Sequence, residues 1–345
     1  MSIDLSSQRG ITNFIRLVAA FFVLVSHSFP LSSKASADHV LAPGLLGEIG
    51  VSIFFCLSGF FVYRSSINRL FLHYIILRIG RLFPLLVLVN FIAAFILFPI
   101  CTNSTIKTSL TTGSNSATSY FLLNSTLLFG LQAGIAGLFV DLPYPSVVNG
   151  SLWTLPIEFQ LYLMLGLLAI LTKRINSRGA FLVLFVSTNI FYVFTEIGVV
   201  ENGLLPLPTL RLIVIFLTGC FLACFDLKLI RLESYKLRFL AVSLILLILV
   251  ADIDFLDPIV YAFIIPVLTI LPTNVSRKFD FFRNRDYSYG VYLWAFPAQQ
   301  LIMHMRLADN ALSLMMISLP ASLILAVISW HLVEKRILIY IRNLI

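Results

Sequence analysis

Charge is scarce in this chain. Of its 345 residues, 12% are charged and 59% hydrophobic, where soluble globular domains carry about 25% charged residues. That leaves too little polar surface to coat a soluble fold and excludes the soluble enzyme and binding-domain classes. Acidic residues are scarcer still, 16 Asp and Glu against 24 Lys and Arg, which gives a formal net charge of +8. A basic excess can indicate a nucleic-acid partner, but no DNA or RNA motif is present and none is expected. Cysteine is also sparse, with four in all. Cys56, Cys220 and Cys224 fall in apolar runs, and the last two lie one helical turn apart. That spacing suits a disulfide poorly and supplies half a metal site, so they read as small packing residues and no metal is expected. No cleavable signal peptide is expected, because the first apolar run holds Arg16, ends near Pro30 and shows no small-residue cleavage site.

What is present is a series of continuously apolar runs, each about 15 to 22 residues long. Such runs suit helices that cross hydrocarbon rather than the alternating strands of a barrel. The spacing predicts spans over 11–29, 46–63, 82–100, 151–171, 179–197, 206–225, 237–251, 258–272, 286–304 and 313–333: an all-α polytopic membrane protein with about ten transmembrane helices. The stretch 120–140 is interrupted by Gly130, Gly134 and Gly137 and carries Asn124 and Gln132, so it is expected to be interfacial or re-entrant. Loop charges support that count, because cytoplasmic loops are rich in Lys and Arg. Arg9, then Arg64, Arg69, Arg78 and Arg81, then Lys173, Arg174 and Arg178 fall on one side. Lys228, Arg231, Lys236 and Arg238, then Arg277, Lys278, Arg283 and Arg285, and finally Lys335, Arg336 and Arg342 fall on that same side. Only Lys34, Lys107 and Arg306 fall opposite. Both termini are therefore expected in the cytoplasm.

Ionisable residues inside spans carry the functional information, since each is costly unless it faces protein or a water-filled cavity. Arg16 and His27, Glu158 and Arg211 qualify. His304, His331 and Glu334 lie at span ends, where side chains reach the headgroups. Arg16 and His27 stand about three turns apart on one helix and point to a similar face. Glu158 is expected at the depth of His27, where a carboxylate would fix the imidazole tautomer; the alternative is a structural ion pair with Arg16 or Arg211. Arg78 and Arg81 share a helix face. They suit either a bidentate grip on phosphates or positive-inside anchoring.

Six segments then coincide in order with one family: Arg16-Leu-Val-Ala-Ala-Phe-Phe-Val-Leu-Val-Ser-His27, Gly50-Val-Ser-Ile-Phe-Phe-Cys-Leu-Ser-Gly-Phe60, Arg78-Ile-Gly-Arg81-Leu-Phe-Pro84, Ser151-Leu-Trp-Thr-Leu-Pro-Ile-Glu158-Phe, Tyr287-Ser-Tyr-Gly-Val-Tyr-Leu-Trp294 and His331-Leu-Val-Glu334-Lys. The chain resembles the acyltransferase family 3 membrane proteins, which include O-acetyltransferases of bacterial O-antigen, exopolysaccharide and lipo-oligosaccharide. The resemblance covers the chain from the first expected span to the last. It implies one transmembrane acyltransferase domain over 1–345, without the extracytoplasmic hydrolase-like domain of some relatives, in the bacterial inner membrane. One departure is Ala295, where many relatives have histidine.

The resemblance implies transfer of an acyl group, with acetyl expected, from cytoplasmic acyl-CoA to a hydroxyl of a lipid-linked or surface glycan. Acetyl-CoA is then a co-substrate, and no bound cofactor is implied. His27 and Glu158 take the catalytic roles, with Arg16, Arg78 and Arg81 on the acyl-CoA. His27 would act as general base or as acyl-accepting nucleophile. The rival reading is a multi-span exporter of a glycan or small metabolite, against which stand the absence of an internal repeat and the paired arginines.

Overall fold

The structure, a computed structural model, describes residues 5–33, 41–110, 113–172, 177–196, 198–200, 205–224 and 277–345. Among these residues the regular elements are all helical. In chain order they are α1 (Leu5–Ser32), α2 (Leu41–Ile67), α3 (Phe71–Ile92), α4 (Phe98–Thr102), α5 (Ile106–Ser109), α6 (Ala117–Thr126), α7 (Thr154–Thr172), α8 (Ser177–Glu196), α9 (Leu207–Ala223), α10 (Ser288–His304), α11 (Ala311–Ser329) and α12 (Lys335–Leu344). A wide π turn, Ala93–Leu97, joins α3 to α4, and a second, Trp330–Glu334, joins α11 to α12.

Among the described residues, five helices are long and apolar enough to cross a membrane: Arg9–Ser32, Gly44–Ile67, Phe71–Thr102, Gly150–Ile170 and Ala311–Leu344. Leu182–Glu196 and Leu207–Ala223 are shorter apolar helices at two further expected spans, and α10 occupies a third. The expected spans 237–251 and 258–272 lie outside the described residues. Helix three differs from its expected bounds of 82–100. It begins at Phe71 and runs unbroken past Arg78 and Arg81, because long basic side chains tolerate a helix backbone well and charge alone does not end one. The two arginines thus lie within a helix rather than in a loop.

The stretch 120–140 is helical only to Thr126; 127–149 is irregular. The glycines and local polar pairing favour that outcome. Asn124 Oδ1 accepts the Gln132 N–H while its Nδ2 donates to the Gln132 carbonyl, both at 2.9 Å. Gln132 Nε2 in turn donates to the carbonyls of Ser116 and Gly134 at 3.1 and 2.7 Å. Polar backbone without helix partners is thereby satisfied within the protein, the condition for irregular structure at membrane depth.

The chain forms two compact units. The first comprises Met1–Arg16, Val51–Tyr74 and Leu161–Asn284. Here α2 and α9 approach so closely that a Cβ on Gly59 would strike the Phe216 carbonyl and one on Gly219 the Cys56 carbonyl, so small residues set the helix spacing. Tyr74 donates to the Tyr162 carbonyl at 2.8 Å, and Phe185 stacks on Phe221 with centroids 4.4 Å apart. The second unit comprises Leu17–Gly50, Ile75–Gln160 and Arg285–Ile345. Its apolar centre gathers Leu31, Phe296, Ile302, Ala308 and Leu314. Trp294 Nε1 donates to Ser329 Oγ at 3.4 Å, tying α10 to α11.

Candidate functional site

His27 lies near the end of α1, in the second unit. The residue is half-buried. Its ring meets Phe296 edge to face, with centroids 5.2 Å apart, and Nδ1 is buried with no hydrogen-bond partner among the described residues. Phe296 is itself fixed: Gly150 leaves room for its ring, which a Cβ there would overlap, and Tyr144 packs against it at 6.0 Å. The imidazole therefore rests on an aromatic wall and is not oriented by a carboxylate through Nδ1.

The expected carboxylate partner, Glu158, sits one turn into α7, also half-buried. Among the described residues, no hydrogen bond from it reaches His27 Nδ1. Its position follows from the preceding residues. Pro297 cannot donate to the Leu293 carbonyl one turn back; Asn149 Nδ2 takes that acceptor at 3.1 Å. Asn149 Oδ1 meanwhile accepts the Ser151 N–H at 3.1 Å and caps the short turn Gly150–Trp153. Tyr292 donates to the Ser151 carbonyl at 2.9 Å, and its hydroxyl lies 2.7 Å from Thr154 Oγ1. These bonds fix where α7 begins against α10, and hence the height of Glu158.

The arginines divide. Arg81 is held by two carboxylates: Nη2 lies 2.7 Å from Asp286 and Nη1 3.2 Å from Glu334. Its guanidinium also stands over the rings of Tyr289 at 5.5 Å and Trp330 at 5.8 Å. Asp286 accepts from Ser288 as well, through its N–H at 3.3 Å and its Oγ, and Tyr289 donates to the Leu82 carbonyl at 2.8 Å. Within the Tyr287 to Trp294 segment it is thus Tyr289 that docks on α3. Arg78 lies one turn before Arg81, half-buried. Arg16 belongs to the first unit, where its guanidinium stands 5.9 Å from the Phe61 ring centroid.

Sequence reasoning missed Asp286, Phe296 and the adjacent Gln299 and Gln300, both wholly buried. The signal was available for the glutamines: two amides inside an apolar span are as anomalous as a charge. For Asp286, the signal was an acidic residue just before a span, opposite a basic one.

A family model described as "Acyltransferase domain" matches residues 11–331. An "O-acetyl transferase" of Shigella phage Sf6 is 31% identical over 335 residues, 94% of each chain. No solved structure matches. A match of that extent disfavours the exporter reading. With the arginine, ten residues, histidine run on α1 and an acyltransferase match that includes every residue from His27 to Asp286 discussed above, the chain belongs to the acyltransferase family 3 membrane enzymes.

Proposed function

We propose that this enzyme moves an acetyl group from cytoplasmic acetyl-CoA to a hydroxyl of a cell-surface glycan such as O-antigen or exopolysaccharide. It would act in the bacterial inner membrane with both termini in the cytoplasm. The observation that carries the reading is His27: an ionisable ring inside an apolar helix, walled by an aromatic, with a buried Nδ1 that no described group occupies. The likeness to the phage O-acetyl transferase supports the acetyl group, and the family's membership supports a glycan acceptor.

In this scheme a ring nitrogen of neutral His27 takes the acceptor proton while the hydroxyl oxygen attacks the thioester carbonyl carbon. The C–S bond then breaks and the CoA thiolate receives a proton from the imidazolium. In the alternative route the ring nitrogen attacks the thioester carbonyl first and the C–S bond breaks to expel CoA thiolate; the acceptor hydroxyl then takes the acetyl group from the ring, and its proton passes to the thiolate. Glu158, at the start of α7, would steady the positive charge that develops on the imidazole. Arg78 and Arg16 would hold donor phosphates. Arg81 would add its charge to that grip; two of its N–H groups already serve Asp286 and Glu334, and these two carboxylates oppose an approaching phosphate. Its larger part is to hold the helix face that Arg78 shares.

The test is the O-acetyl content of the surface polysaccharide, read by NMR in cells carrying the intact gene, a deletion, or His27→Ala at matched expression. Acetyl signals absent from the deletion and the variant establish the reaction and its base together. Signals unchanged in the deletion overturn the glycan acceptor.

A further inference from the structure

Gln299 is wholly buried in α10, where an amide is costly unless its polar atoms are met. Its Nε2 donates to the Leu24 carbonyl at 3.0 Å and to Ser28 Oγ at 2.7 Å, with Ser318 Oγ at 3.5 Å. Ser28 Oγ also donates to the Leu24 carbonyl, at 3.0 Å. Leu24 and Ser28 bracket His27 within one turn of α1, so a single amide grips the turn that carries the imidazole. Phe296, on the same face of α10 one turn earlier, meets the ring itself.

The opposite flank of that turn is closed as well. Gly47 of α2 lies against Ser26, and Gly50 against the Ala19 carbonyl and Val23, with no space for a Cβ at either. Helix α1 is therefore pinned between glycines on one side and a hydrogen-bonding amide on the other.

We infer that Gln299 is a positioning residue for His27, fixing the rotation and depth of the imidazole through the backbone of its own turn. The inference rests on the reading of His27 as the group that handles the acceptor proton or the acetyl group. Adhesion alone does not explain an amide here. Its Oε1 is buried without a partner among the described residues, so an apolar side chain of similar volume would hold the helices together as well or better. What an apolar side chain lacks is a directed bond to one carbonyl, which sets register.

The test uses the full-length protein purified in detergent, with labelled acetyl-CoA and the strain's own surface polysaccharide, chemically de-O-acetylated, as acceptor. Gln299→Met is expected to remain monodisperse with an unchanged or higher Tm. Its kcat should fall roughly ten- to a hundredfold, the scale of a slight misplacement of a reacting group, with KM for acetyl-CoA unchanged. Ser28→Ala, which removes one of the amide's acceptors, should lower kcat less and keeps the idea testable if Gln299→Met does not fold. Combined with His27→Ala, Gln299→Met should add no further loss, since a residue acting through His27 has nothing left to position. Wild-type kcat in folded Gln299→Met, or in Ser28→Ala should the first variant not fold, overturns the inference, as do additive losses in the double variant. Wild-type activity in His27→Ala would instead bring down the functional reading itself, and the positioning role with it.

Discussion

His27 and Arg81 belong to the same compact unit, and each is an ionisable residue on an apolar helix, yet their surroundings are opposites. Arg81 meets two carboxylates and two aromatic rings; His27 meets one aromatic ring and leaves Nδ1 unmet among the described residues. A saturated group stabilises the fold and has little capacity left for a substrate. An unsaturated one is held ready at a cost in stability, which is the arrangement expected of a group that must bind or exchange a proton.

The contrast breaks most directly at His27. Replacing it with alanine should cost about 10²- to 10⁴-fold in transfer rate, the contribution of a general base, with normal membrane insertion and an unchanged or higher melting temperature. A folded variant with near-normal transfer would show that the unmet nitrogen is incidental. Arg81→Ala should do the reverse, removing folded protein before it alters chemistry. It strands Asp286 and Glu334, whose side chains are 10% and 2% exposed, and breaking a buried pair costs about 3–5 kcal/mol. Thermal unfolding in detergent measures this, and partial recovery by adding Asp286→Asn and Glu334→Gln would tie the loss to the stranded carboxylates.

Arg78→Ala sharpens the division between the two arginines. KM for acetyl-CoA should rise about ten- to a hundredfold, the worth of a hydrogen bond to a charged group of about 1.5–3 kcal/mol, while stability stays close to wild type. Equal loss of stability in Arg78→Ala and Arg81→Ala would merge them into one structural pair. The smallest effect is expected from Glu158→Gln. Because His27 Nδ1 has no hydrogen-bond partner among the described residues, kcat should fall only about three- to tenfold, the loss of one charge acting through space. A drop as large as that of His27→Ala, in steady-state assays, would place Glu158 in contact with the ring during turnover.

The glycine and amide patterns show how much of this was legible beforehand. The apolar runs announced helices, and the six ordered segments led from Arg16, His27, Arg78, Arg81 and Glu158 to the family. Reading Gly50 in its segment did not reveal that it seats α2 against α1 beside His27, nor did Asn149 announce that it takes the carbonyl freed by Pro297. Arg78 and Arg81 were expected at a helix entrance and lie inside one, because basic side chains give no backbone stop signal.

Composition and periodicity by themselves determined that the protein is helical, apolar and built to reside in a membrane, since those properties depend on residues close together in the chain. Only the tertiary structure decided which polar side chains are satisfied. Arg81 finds its carboxylates 205 and 253 residues away, and Gln299 reaches Leu24 across 275. Whether an arginine is a strut or a binding group, and whether a histidine is oriented or left open, depends on partners brought near by folding, which local spacing does not encode.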